Sequence, residues 1–220
     1  MRRIAHILIL AVVLAIPVHA FAGTAAVRSV QTYTQLFDSR EIPSTNLKPF
    51  PKWQGVLDRY FDERELEDAP CTSTTFNRCH LREWKAFLAG IEGKDRMTQL
   101  QEVNRFMNEA IYIIDPINYH VPDYWATPVQ FFNKDGDCED YAIAKFMSLR
   151  ALGYDNGDLR IVVLQDLNLR LAHAVLVTYV DGVPYVLDNQ IPQAVPAAII
   201  RHYRPFYSIN EDTWWLHRPR

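Results

Sequence analysis

Several things are scarce in this 220-residue sequence, and each scarcity closes off a class of function. There is no block of basic residues: 23 Lys and Arg stand against 26 Asp and Glu, a formal charge of -3, so nucleic-acid binding has no electrostatic support. There is no internal repeat and no low-complexity stretch, which excludes a stacked-repeat architecture. After the first 22 residues no segment is long and apolar enough to cross a bilayer. Cysteine occurs three times, as Cys71, Cys79 and Cys138. In an oxidising compartment Cys71 and Cys79 are close enough in sequence to close a small disulfide loop, which leaves Cys138 as the odd one. An unpaired exported thiol is a liability unless it is used chemically or is buried and inert.

Export is written into the N-terminus. Arg2 and Arg3 form a basic region, residues 7–16 an apolar run, and Val18-His19-Ala20 and Ala20-Phe21-Ala22 offer small-residue cleavage sites. The apolar run is shorter than the roughly 20 residues of a comfortable membrane span. Residues 1–22 are therefore expected to be a signal peptide, with an uncleaved anchor as the alternative. The remainder suffices for one domain with a real core.

Residues 23–50 read as an extended, weakly ordered N-terminal segment, and residues 51–220 as the domain. Trp53, Val56, Leu57, Tyr60 and Phe61 fall on one face of an amphipathic helix, and Trp84, Phe87, Leu88 and Ile91 repeat that spacing. A third helix is expected from about Thr98, with Leu100, Val103, Met107, Ile111 and Ile114 on one side, stopping before Pro116. From Cys138 to Leu152 apolar residues occur all round the helical wheel, interrupted by Glu139, Asp140, Lys145, Ser148 and Arg150. A helix apolar on nearly every side is buried on nearly every side, so this is the expected central helix, closed by Gly153. Three β-rich runs follow, residues 159–164, 172–180 and 185–187, with Asp181-Gly182 as a hairpin turn between the last two. Helices first and antiparallel strands later make an α+β domain.

Gly136-Asp137-Cys138-Glu139-Asp140-Tyr141 sets a thiol at the start of that central helix. A helix N-terminus favours the thiolate, the form that attacks carbonyls. His173 lies in a β run, where alternation puts it on one face with Val175, Val177 and Tyr179. Asp188 follows the hairpin, so the antiparallel return brings it beside His173 as the group that orients the imidazole. Asn189 is an alternative orienter. Cys138, His173 and Asp188 are thus the candidate nucleophile, base and orienter of an acyl-transfer site. The flanking carboxylates oppose this chemistry. One about 6 Å from the sulfur works against the thiolate by roughly 3 kcal/mol at an effective dielectric near 20, about two pKa units. A helix terminus returns only about 0.3 to 2 kcal/mol. Asp137, Glu139 and Asp140 therefore either point into solvent or bind a hard cation, and an all-oxygen set suits Ca²⁺ better than Zn²⁺.

These motifs, with Val103-Asn104-Arg105-Phe106-Met107-Asn108, Tyr124-Trp125-Ala126-Thr127-Pro128, Leu152-Gly153-Tyr154, Leu187-Asp188-Asn189-Gln190 and Trp214-Trp215, resemble the bacterial transglutaminase-like cysteine proteinases, most closely the LapG-type periplasmic proteases. The resemblance spans roughly residues 51–217. It implies a papain/transglutaminase-like fold, a Cys138-His173-Asp188 triad, and calcium dependence with Asp137 and Glu139 as metal ligands and Asp140 as a further one. It further implies a periplasmic endopeptidase that cuts a large surface adhesin near its N-terminus at a di-alanine site and so disperses biofilm. Its expected restraint is the periplasmic domain of an inner-membrane cyclic-di-GMP receptor. Trp125 resembles an aromatic residue of the active cleft, or else is a packed core tryptophan, and the Cys138 amide is the natural first oxyanion donor. Two other functions use the same residues: a transglutaminase or amidase with an amine as acceptor, and a non-catalytic calcium-stabilised binding module.

Overall fold

The computed structural model describes residues 35–64 and 78–220. The expected signal peptide and Cys71 lie outside the described residues. Of Cys79 only the helical backbone is described, so the expected disulfide lies outside them as well.

Six helices are described: α1 (Pro51–Arg64), α2 (Arg78–Ile91), α3 (Arg96–Met107), α4 (Asp115–Asn118), α5 (Pro128–Lys134) and α6 (Cys138–Ala151). The strands are β1 (Ser39–Ser44), β2 (Leu159–Asp166), β3 (Leu171–Val180), β4 (Val183–Leu187), β5 (Val195–Pro196), β6 (Tyr203–Ile209) and β7 (Trp214–Pro219). They form one antiparallel sheet in the order β1-β7-β6-β2-β3-β4-β5. This is the α+β architecture expected, with α6 at its centre. Every residue from Asp140 to Leu149 is buried, as a helix without a polar face requires. Among the described residues no helix is long and apolar enough to cross a membrane.

Strand alternation divides the core in two. Leu159, Ile161, Leu176 and Leu187 join the helices, including Trp53, Trp84, Leu100, Ile143 and Phe146. Val162, Leu164, Val175, Val177 and Tyr179 pack on the other face against Leu36, Ala197, Ile200 and Tyr203. His173 shares the alternation of Val175, Val177 and Tyr179, as its spacing predicts.

Several expectations need correction. Residues 39–44, read as part of a weakly ordered segment, form edge strand β1 paired along its length with β7. The third helix ends at Met107 instead of continuing towards Ile114. Its Asn108 cap turns into the site and donates Nδ2–H to the Asp188 carbonyl at 2.9 Å. The chain beyond it becomes extended, with Ile111 N–H donating to Asp135 Oδ1 at 3.0 Å and Ile113 N–H to Gly136 O at 2.9 Å. Ile111 and Ile114 are consequently exposed, and so is Phe61 on α1.

Candidate active site

Cys138 is the first residue of α6, with Asp137 as the N-cap. The start of this helix is held from two directions. Asp140 Oδ1 accepts the Ala126 N–H at 2.7 Å, and its Oδ2 accepts the Asp137 N–H at 3.3 Å. Gly136 leaves room for that carboxylate: a Cβ at this position would lie 2.7 Å from Asp140 Cβ, closer than carbon atoms pack. Asp140 is therefore first a structural clamp on the α6 N-terminus.

Two buried side chains form the other half. His173 Nε2 and Asp188 Oδ1 are 2.9 Å apart, and as the carboxylate only accepts, Nε2–H donates. The neutral ring then keeps its lone pair on Nδ1, the nitrogen available as a base. Asp188 Oδ1 also accepts the Gln190 N–H at 2.9 Å, and its Oδ2 accepts the Tyr203 hydroxyl. Burial pushes the Asp188 carboxyl up, but His173, the Gln190 amide and Tyr203 together outweigh it and hold the group below its usual range. The His173 bond goes to Asp188, so the alternative orienter Asn189 is not the partner used. Tyr203 was not read from the sequence; its place in β6, fifteen residues past Asp188, carries no local signal.

The candidate nucleophile, Cys138, approaches this pair along the backbone. Pairing of β3 with β4 ends at Leu176 with Leu187; beyond it Ala174, still paired with Val163 of β2, hydrogen-bonds the Cys138 sulfur through its amide. The structure thus sets the sulfur against the residue next to His173. The thiol proton, however, points the other way, donating to Glu139 Oε2 at 3.1 Å. Burial, then the Glu139 carboxylate and the bond to it, then Asp137, push the thiol far up, with only the Ala174 amide acting against them. The conflict expected between thiolate and flanking carboxylates is real.

Those carboxylates do not point into solvent. Donor atoms of Asp115, Asp137 and Asp140 lie within 4.8 Å of one another, as do those of Asp115, Asp123 and Glu139, and of Asp137, Cys138 and Glu139. Burial raises Asp115 to about 6 and, reinforced by Asp137, Glu139 to about 9. Asp137 Oδ1 and Asp115 Oδ1 are buried without a hydrogen-bond partner. Unpartnered carboxylate oxygens in an all-oxygen cluster fit a hard divalent cation. Asp115 and Asp123 were missed in the sequence because they lie outside the nucleophile motif, on α4 and in the loop after it. Trp125 is buried, edge-on to Trp53 at 6.4 Å, and lines a cavity of about 300 Å³ with Phe50, Asp123 and Tyr207. Trp214 and Trp215 lie in β7, packed on Phe50 at 5.1 Å and under the Arg160 guanidinium at 3.8 Å respectively.

Comparison with known proteins gives a consistent answer. Residues 71–206 match the family model of the bacterial transglutaminase-like cysteine proteinases. The calcium-bound structure of Legionella pneumophila LapG is 32% identical, with a TM-score of 0.61, covering 71% of this chain and 87% of that one. The EGTA-treated structure of the same protein, also 32% identical, gives 0.62 over 73% and 87%. No curated protein matches.

Proposed function

The chain belongs to the bacterial transglutaminase-like cysteine proteinases, and from that premise we propose a calcium-dependent periplasmic endopeptidase whose triad is Cys138, His173 and Asp188. Its substrate on this reading is a large surface adhesin cut near its N-terminus at a di-alanine site, with release of the adhesin and dispersal of biofilm. The periplasmic domain of an inner-membrane cyclic-di-GMP receptor is the proposed restraint. The observation that carries the catalytic part is the buried His173-Asp188 bond, which leaves Nδ1 as base one residue from the amide that touches the Cys138 sulfur.

Asp115, Asp137 and Glu139, with Asp123 at the rim, are the residues that would hold calcium, and Asp140 lends whatever capacity its two backbone bonds leave. Bound there, the ion supplies positive charge where the carboxylates otherwise suppress the thiolate. The Cys138 proton passes to His173 Nδ1, and Asp188 stabilises the imidazolium through Nε2–H. Cys138 Sγ attacks the peptide carbonyl, and the Cys138 N–H faces the developing oxyanion. Nδ1–H then protonates the leaving amine, giving a thioester. Nδ1 next takes a proton from water, whose oxygen attacks the thioester and releases the acid and the thiol.

The test is cleavage of a recombinant adhesin N-terminal fragment carrying a di-alanine site, by wild type and Cys138→Ala, with calcium and with EGTA. Cutting that needs both Cys138 and calcium is the expected result. Incorporation of an amine into a glutamine substrate without cleavage would replace the protease by a transglutaminase. Activity intact in saturating EGTA would remove the metal from the mechanism.

A further inference from the structure

Helix α1 carries a polar stripe along the loop between α4 and α5. Lys52, Arg59 and Glu63, seven and four residues apart, fall on one face of that helix. Each grips an alternate residue of the loop. Lys52 pairs with the Asp123 carboxylate, Arg59 Nη2–H donates to the Trp125 carbonyl at 2.6 Å, and Glu63 accepts the Thr127 hydroxyl. The amides between them go to the acidic cluster instead: the Tyr124 N–H donates to Asp115 Oδ2, and the Ala126 N–H to Asp140 Oδ1 at 2.7 Å. Residues 123–127 are thus strung between α1 and the cluster. The same stretch delivers Asp123, which has a donor atom within 4.8 Å of those of Asp115 and Glu139.

Arg59 is the middle grip of the three and the most constrained. Its guanidinium lies over the Tyr124 ring, 5.0 Å from the centroid. A Cβ at Gly55, one turn earlier, would lie 3.1 Å from Nη1, so a glycine inside the helix, destabilising relative to alanine, leaves the guanidinium room. Arg59 Nε is buried without a hydrogen-bond partner. Two local costs therefore accompany one contact, made to the carbonyl that sits between the amides given to Asp115 and Asp140. We infer that Arg59 is a positioning residue of the metal centre. By holding the Trp125 carbonyl it fixes the register of residues 123–127, so that Asp123 reaches the cluster and the Tyr124 and Ala126 amides orient Asp115 and Asp140. The inference rests on the calcium site proposed above. Metal-ligating carboxylates are themselves oriented by hydrogen bonds, and losing such partners typically weakens binding by about 10- to 100-fold. Arg59 acts one step further out, so the lower end applies.

Calcium affinity measured by isothermal titration calorimetry, which needs no substrate, is the test. Arg59→Met should weaken calcium binding about tenfold. Arg59→Lys, which keeps the charge and a donor, should fall between Arg59→Met and wild type. The sign decides between two roles, because a guanidinium beside the site repels a cation and its loss as mere charge would tighten binding. Val56→Ala, on the same helix but packed in the core, should lower the melting temperature and leave the affinity unchanged. Affinity unchanged or raised in the Arg59 variants, or lowered as much by Val56→Ala, would overturn the inference. If Arg59→Met did not fold, Arg59→Lys set against Val56→Ala would decide in the same way. Wild-type protein that took up no calcium would instead overturn the metal reading itself, and this inference with it.

Discussion

Two histidines in this molecule are equally buried, each 4% exposed, and their surroundings suit them to opposite work. His217 in β7 is satisfied on both sides. The Ser39 hydroxyl donates to Leu36 O at 2.7 Å, so Ser39 Oγ accepts from His217 Nδ1–H at 2.7 Å, and the Ser208 hydroxyl then donates to Nε2 at 2.9 Å. Hydroxyls bring no charge, and the ring is a neutral bridge tying β1, β7 and β6. His173 is satisfied on one side, by a carboxylate. Charge on one nitrogen and freedom on the other are what a general base requires. Burial alone therefore says little about a histidine; the count and charge of its partners say what it is for.

The comparison breaks most sharply on substitution. His173→Gln should lower kcat/KM by about a thousandfold or more, the scale on which the members of such triads act, while leaving thermal unfolding within a few degrees. His217→Gln should do the reverse: specific activity of the folded fraction unchanged and the melting temperature lowered. Cleavage rates per folded molecule, with folded protein measured by circular dichroism, separate the two. Equal losses of activity from both would undo the assignment.

Acid should act on the second histidine by about 3 kcal/mol. Burial, with repulsion from Arg160 and against the pull of Glu41, draws His217 down to about 4 from an ordinary 6.5. Between those values the unfolded chain binds a proton that the folded chain refuses, so stability is lost as pH falls from about 6.5 and levels off near 4. Asp115 and Glu139 are raised and run in the opposite sense. The contribution of His217 must therefore be read as the difference between wild type and His217→Met in urea unfolding at pH 7.5 and pH 4.5. The difference should shrink by about 2.5 kcal/mol at the lower pH.

How much of this was legible beforehand depended on whether the signal was local. The start of α6 was, because capping, charge and an all-apolar wheel sit within fifteen residues; so was the β3-β4 hairpin, whose turn is two residues long. Strand β1 was not, since Ser39, Arg40 and Glu41 look like solvated chain until β7 is there to pair with them, and β6 and β7 hold no clean alternation. The same holds at the site. Cys138, His173 and Asp188 lie in motifs, whereas Tyr203, Asp115 and Asp123 reach it through tertiary contacts that no spacing announces. Lys145 was visible as an interruption of the apolar wheel, yet that it is wholly buried became plain only in the packed fold.

The smallest effect sharpens the contrast most finely, because it removes one hydroxyl from each histidine's surroundings. Tyr203→Phe keeps the ring against Phe37 and against His173 but withdraws a donor from Asp188. Hydrogen bonds to charged groups contribute about 1.5 to 3 kcal/mol. Asp188 retains the Gln190 amide and His173, so the lower end applies and kcat/KM should fall about tenfold. Ser208→Ala withdraws one donor from His217 and should cost about 1 kcal/mol of stability with kcat unaltered. The same chemical deletion then registers as rate in one place and as stability in the other. If Tyr203→Phe changed only stability, the Tyr203-Asp188-His173 chain would be a structural tie like its counterpart around His217, and Asp188 would need no third donor to orient the base.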